Sequence, residues 1–198
     1  GDLVQLSGVV NVNGGQLMVE GDYRIQSRSG EEDAYTYGSS SGQLQMTKEE
    51  DYVLVKGSYL SDTSANTSNY LTAGILEVKG DVVVSNTYSQ YGFVTSGSHK
   101  LLLSGEGLQN VSISGSTAST SRVVNLEITN ESEEGVVFKQ VLHVTGEVGD
   151  HGNKVSGTIS IADSTSLTAN YFGGRVSIVQ GTTLSKVMTM GGNLSMSS

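Results

Sequence analysis

With no cysteine among its 198 residues, the chain has to draw any chemistry from histidines, carboxylates, hydroxyls or aromatic rings. The histidines are His99, His143 and His151, and none stands in the His-x-x-x-His spacing that brings two imidazoles to one metal. His99 and His143 fall in strand-like runs and are expected as exposed strand residues. The most polar turn is Gly149-Asp150-His151-Gly152-Asn153-Lys154. Its Asp150 and Asn153 oxygens are of the kind that fills a Ca²⁺ shell, but such a shell takes more carboxylates at close spacing, so a plain turn is expected and no metal ligand is assigned. Three acidic clusters, Glu31-Glu32-Asp33, Glu49-Glu50-Asp51 and Glu131-Ser132-Glu133-Glu134, offer the carboxylate pairs that acid and base catalysis on a glycosidic bond requires. Carboxylates adjacent in sequence more often form solvated turns, and no basic residue accompanies them in a sugar-acid pattern. Gly105-Glu106-Gly107 lacks the Lys-Ser/Thr of a phosphate loop and no helix follows it. No catalytic, metal or cofactor-binding residue is assigned, and the chain is not expected to be an enzyme.

Aromatic residues give a different signal. Tyr35, Tyr37, Tyr70, Tyr88 and Tyr91 all lie in stretches rich in Ser, Gly and Asn. A tyrosine in that setting makes an adaptable contact with sugars or proteins, because it joins a large ring to one polar tip. It also anchors a loop to the wall beneath it. These five are the candidate contact residues, with both roles open.

The elements that must position them follow a repeat. Gly15-Gln16-Leu17-Met18-Val19-Glu20-Gly21-Asp22 returns as Gly74-Ile75-Leu76-Glu77-Val78-Lys79-Gly80-Asp81, with aliphatic residues two apart, glycines at both ends and an aspartate after the second. Alternation of period two is the mark of a half-buried strand. Leu17, Val19, Leu76 and Val78 are expected to point inward and stack in layers, with Asp22 satisfying a turn. Before them, Val4 and Leu6 set the phase of the first run, which Leu3 and Gln5 break. Short runs of the same kind recur to the end of the chain, and no segment carries the apolar stripe of a helix. Three polar stretches, 27–41, 61–70 and 85–92, each follow a strand pair and read as insertions at one position of successive coils.

Gly21, Gly57, Gly80, Gly105 and Gly146 are read as one recurring corner, with separations of 36, 23, 25 and 41 residues. A coil of roughly 20 to 25 residues carrying insertions accounts for them. The expected fold is all-β, a single-stranded β-solenoid (β-helix) of short stacked coils, forming one elongated domain over 1–198. A β-sandwich is the alternative, since short strands with frequent turns build one too. Gly191 to Ser198 resembles Gly1 to Gly8, so the last coil is expected to read into a first.

Composition limits the partners. A net charge of −9 argues against a basic face for nucleic acid or anionic lipid. No apolar run approaches the roughly 18 residues that span a bilayer. Gly1-Asp2-Leu3 has no basic and apolar leader and there is no initiator Met, as expected of a processed product, a fragment or one unit of something longer. Proline is absent altogether, which suits a backbone committed to sheet ladders.

Five phrases carry a resemblance over most of the chain: Val-Glu-Gly-Asp-Tyr-Arg-Ile-Gln at 19–26, Asp-Tyr-Val-Leu-Val-Lys-Gly at 51–57, Leu-Thr-Ala-Gly-Ile-Leu-Glu-Val-Lys-Gly-Asp at 71–81, Gly-Ser-His-Lys-Leu-Leu-Leu-Ser-Gly at 97–105 and Leu-Glu-Ile-Thr-Asn at 126–130. They resemble the Gly-rich β-solenoid tandem repeats of very large bacterial surface or secreted proteins. The resemblance implies a Gram-positive-type, extracellular, repeat-built stalk or filament, and brings no catalytic motif with it.

One function is therefore expected, with two alternatives ranked behind it. It is a structural or adhesive unit at the cell surface that stacks end to end, on itself or on neighbouring repeats. The first alternative is a carbohydrate-binding adhesin module whose partners are cell-surface glycans, and the second is a β-helical enzyme degrading polysaccharide.

Overall fold

In the computed structural model the chain is all-β, with no helix among the described residues. Those are residues 1–149 without Asp33 and, as strand backbone, 155–156, 158–161, 166–167, 171–172, 175–179, 189–190 and 194–197. The polar stretch 150–154 singled out in the sequence, with His151, lies outside them.

Two parallel seven-stranded sheets dominate. The first holds Leu3–Val4, Tyr23–Ile25, Tyr59–Ser61, Val82–Val84, Gln109–Ile113, Val136–Phe138 and Val155–Ser156. The second holds Gln16–Val19, Tyr52–Val55, Ile75–Val78, Lys100–Leu103, Asn125–Ile128, Glu147–Gly149 and Ser166–Leu167. Between them the chain makes further parallel contacts. Val9–Asn11 pairs with Gln43–Gln45, and bridges follow at Met46–Leu71, Leu71–Thr95, Val94–Arg122 and Val123–Val144. A four-stranded parallel sheet of Leu142–Val144, Thr158–Ile161, Arg175–Val179 and Leu194–Ser197 continues from there. No sheet closes into a barrel among the described residues. Parallel neighbours need long connections, and here the chain visits a strand of the other large sheet between each pair of neighbours.

Register turns the sequence alternation into columns. Leu17, Val53, Leu76, Leu101, Leu126 and Val148 lie one above another in the second sheet, and so do Val19, Val55, Val78, Leu103 and Ile128. All are buried except Leu17, which packs against the core from its end. Burying such a side chain stabilises the fold by about 1.5–3 kcal/mol. The first sheet has an equivalent column of Leu3, Tyr23, Tyr59, Val82, Val111 and Phe138. Tyr23 meets Tyr59 edge-on at 5.7 Å between ring centroids, and Tyr59 leans on Phe93 at 5.8 Å. Burial raises the pKa of both phenols.

Here the first run departs from its sequence phase. Gln5 is buried and Leu6 exposed, the reverse of what Val4 and Leu6 imply. The buried amide is fully used: Gln5 Nε2 donates to the carbonyls of Gly8 (2.8 Å) and Gln43 (3.0 Å), and its Oε1 accepts from the Tyr23 hydroxyl at 2.7 Å. Satisfied on every side, it costs little to bury.

The glycine corner is real for four of its five members. Gly21, Gly57, Gly80 and Gly105 are equivalent in register, and Gly57 N–H donates to the Gly21 carbonyl at 2.9 Å, Gly80 to that of Gly57 at 2.8 Å. Backbone approaches so closely there that a Cβ on Gly80 would fall 2.5 Å from the Gly57 carbonyl carbon. At Gly105 the Gln109 amide takes over, accepting from Gly105 N–H at 2.8 Å and donating to the Gly80 carbonyl at 2.7 Å. Gly146 belongs elsewhere. Its N–H donates to the Val124 carbonyl, and by register it shares the preceding corner with Gly15, Asp51, Gly74 and His99.

Asp22 does more than close its own turn. Its Oδ1 accepts the N–H of Ser58 at 2.8 Å, one strand further along the sheet, as Asp2 accepts from Asp22 at 2.9 Å, Ser58 from Asp81 at 3.1 Å and Asp81 from Asn110 at 2.7 Å. Each polar side chain caps the backbone of its successor. Of Gly191–Ser198, read as like Gly1–Gly8, only 194–197 are among the described residues. Leu194–Ser197 belongs to the four-stranded sheet, whereas Leu3–Val4 belongs to the first sheet.

Candidate contact surface

The polar stretches leave the first sheet at one place in successive circuits and stack into a ridge. Ser40 N–H donates to the Asp62 carbonyl (3.0 Å) and Ser64 N–H to that of Ser40 (2.8 Å). The Asp62 carboxylate then holds the Thr87 N–H at 2.9 Å and its hydroxyl at 2.8 Å. Asn86 Nδ2 reaches on to the Ser114 carbonyl at 2.5 Å and to Ser121 Oγ at 2.9 Å. Much of this is interior, with Asp62, Thr63, Thr67 and Ser121 buried. The insertions are polar because the ladder between them is polar, since buried donors and acceptors must pair.

The stretch 27–41 differs from the others. Ser27–Ser29 pairs with Thr36–Gly38 as the one antiparallel pair among the described residues. Alternation along this hairpin and the strand before it brings two guanidinium groups onto two rings: Arg28 lies over Tyr35 at 4.3 Å and Arg24 over Tyr37 at 4.4 Å. Arg24 is also tied to Asp22 at 2.6 Å. Tyr35 and Tyr37 remain 36% and 38% exposed. Beyond them, the hairpin tip carries Glu31 and Glu32, both exposed.

Of the other expected contact residues, Tyr88 stands out into solvent, 77% exposed. Tyr70 and Tyr91 are half-buried, and the Tyr91 carbonyl accepts from both the N–H and the hydroxyl of Thr67 at 3.0 Å. The hairpin thus carries Tyr35 and Tyr37 together, Tyr88 projects from a later turn of the ridge, and Tyr70 and Tyr91 are half-buried.

The acidic clusters differ in burial. Glu49 and Glu50 are exposed, but Asp51 is buried, and its carboxylate caps Gly14 N–H at 2.5 Å, Thr47 N–H at 2.7 Å and Lys48 N–H at 3.0 Å. Glu131 shares an open depression of about 300 Å³ with Glu106, Ser104 and Ser132. No group of three metal-ligating side chains comes together among the described residues.

His99 is not an exposed strand residue. It sits in the turn before Lys100–Leu103, fully buried. Neither ring nitrogen has a hydrogen-bond partner among the described residues, and burial pushes its pKa down to about 3. His143, half-buried in Leu142–Val144, is lowered by burial too, against a backbone hydrogen bond with Ser116 that raises it.

Outside the ridge, the second sheet carries a charge ladder. Lys56 meets Glu20 at 2.8 Å, Lys79 meets Glu106 at 3.3 Å and Lys100 meets Glu127 at 2.5 Å. Glu77 accepts from the Tyr52 hydroxyl and from Ser104 Oγ at 2.6 Å. Burial, with Glu77 second, pushes the Tyr52 phenol up to about 12. Exposed pairs of this kind contribute about 0–1 kcal/mol each.

Set against known protein families, curated proteins and solved structures, the chain matches none.

Proposed function

We propose that the chain is a structural unit of an extracellular stalk or fibre, a β-solenoid whose coils stack end to end, with copies of itself or with neighbouring repeats. The observation that carries this reading is the parallel register of the second sheet, where each strand from Gln16–Val19 to Glu147–Gly149 adds one residue to the column that begins at Leu17. Such a stack is built from contacts between neighbours alone, so it lengthens by adding circuits without a new core. Parallel pairing in both large sheets also weighs against a sandwich, which is built from antiparallel strands. The resemblance to tandem repeats of very large bacterial surface proteins agrees with this reading. Electron microscopy of the purified chain with small-angle scattering tests it: a rod that lengthens with concentration supports it. A compact globule overturns the elongated form, and a rod of fixed length at every concentration overturns self-stacking.

A second reading, a glycan-binding adhesin module, is favoured by the hairpin. Its two exposed tyrosines, each backed by an arginine, form a presented surface of the kind that sugar recognition uses. A glycan array tests it, and hits that vanish in Tyr35→Ala and Tyr37→Ala support it. An array without hits, or hits that both variants keep, overturns it.

A further inference from the structure

We infer that the Tyr35–Tyr37 hairpin binds an acidic polysaccharide whose carboxylates are widely spaced. This rests on the adhesin reading and specifies its ligand. Two of the chain's four arginines stand on this hairpin or on the strand leading into it, in a molecule of net charge −9. Clustering of guanidinium on aromatic faces in so acidic a chain is a local feature rather than the general character of its surface.

The geometry assigns the roles. A guanidinium held over a ring keeps N–H groups that can meet a planar carboxylate as a two-pronged fork. Arg24 has committed one N–H of its guanidinium to Asp22 at 2.6 Å. Arg28 is exposed, stacked on Tyr35 at 4.3 Å, and makes no salt bridge among the described residues. Its fork is the one available to a ligand. Tyr35 and Tyr37, both exposed, offer aromatic surface to the C–H face of a pyranose. One sugar acid satisfies both.

The hairpin tip sets the charge spacing. Glu31 and Glu32 are exposed a few residues from Arg28, in a turn closed by the Ala34 N–H donating to the Glu31 carbonyl at 3.0 Å. A densely charged chain that places one anion on Arg28 brings the next against these carboxylates, and like charges in contact select against it. A chain with one carboxylate per disaccharide avoids that penalty.

Calorimetric titration of the full chain with hyaluronan, heparin and malto-oligosaccharides of equal length tests the inference. Hyaluronan is expected to bind, heparin weakly and the neutral chain not at all. Arg28→Lys keeps the charge but loses the fork, and should weaken hyaluronan binding about tenfold or more. Tyr35→Ala should weaken it as well. Glu31→Gln with Glu32→Gln should raise heparin binding. Circular dichroism is expected to be unchanged throughout, because the hairpin stands outside the parallel sheets. Heparin preferred by the unaltered chain, or hyaluronan binding indifferent to Arg28→Lys, overturns the inference. Binding of the neutral chain alone overturns it while leaving the adhesin reading in place. Absence of binding to any of the three, with a glycan array also empty, removes both.

Discussion

The wall of the second sheet and the ridge of insertions are built in the same circuits under opposite rules. In the wall each column repeats one kind of residue, Leu17 through Val148, because the space above an inward aliphatic side chain is filled best by another of similar shape. In the ridge no column persists. A hairpin is followed by turns of different length, joined through Asp62, Asn86 and Ser121. The wall therefore takes stability from repetition, while the ridge is free to vary because each of its turns needs only polar partners above and below. Contact residues belong on the part whose sequence the core does not dictate.

This contrast can be broken at its strongest point. Leu101→Ala removes a fully buried side chain from the middle of a column, and should cost about 2–5 kcal/mol. Chemical denaturation measures it, and a loss under about 1 kcal/mol would mean that the columns are not the stabilising core. Gly80→Ala places a Cβ 2.5 Å from the Gly57 carbonyl carbon, and overpacking of that kind costs about 1–3 kcal/mol. The same change at the exposed Gly8, where a Cβ meets nothing but φ is +75°, tests conformation alone. An equal cost at both would show that close approach is not what holds glycine in the corner.

Acid sharpens the contrast from the wall side. The folded His99 stays neutral down to about pH 3 because burial opposes its charge, whereas the unfolded imidazole takes a proton near pH 6.5. The folded state therefore binds fewer protons between those values. Its stability from this group is intact above pH 6.5 and falls as pH drops toward 3, by at most about 1.4 kcal/mol per pH unit. His99→Leu should flatten the pH dependence of the melting temperature across that window. A variant as acid-sensitive as the parent would place the effect on other groups.

The smallest effect belongs to the ridge. Tyr37→Ala removes a ring stacked on Arg24 at 4.4 Å, an interaction of about 0.5–1 kcal/mol at an exposed site. The melting temperature should barely move. A change as large as that of Leu101→Ala would make the hairpin part of the core instead of a presented surface.

Much of the wall is legible in the chain itself. Alternation in Asn125–Ile128 leaves one side of the strand apolar, and the glycines that follow Tyr52–Val55 and Ile75–Val78 mark where backbones crowd. The same logic fails where a polar residue is buried with its needs met. Gln5 goes inside because Gly8, Gln43 and the Tyr23 hydroxyl surround its amide, and no alternation rule contains those partners. Asp51 was legible as an acid in a turn, but its three N–H donors come from Gly14 and from its own turn at Thr47 and Lys48. Gly146 misled for a related reason. Spacing alone does not say which of two corners in a circuit a glycine occupies.

By itself, then, the sequence determined the all-β class, the inward aliphatic columns and the places where insertions leave them, because these follow from local alternation and from the missing Cβ of glycine. The tertiary structure alone decided which distant residues became neighbours. It buried His99 at a position held by Asp51 and Gly74 in earlier circuits, and it laid Arg24 on Tyr37 and Arg28 on Tyr35. Those outcomes depend on register between separate circuits and on how an insertion folds back. A one-residue slip in either would change every partner while leaving the pattern along the chain the same.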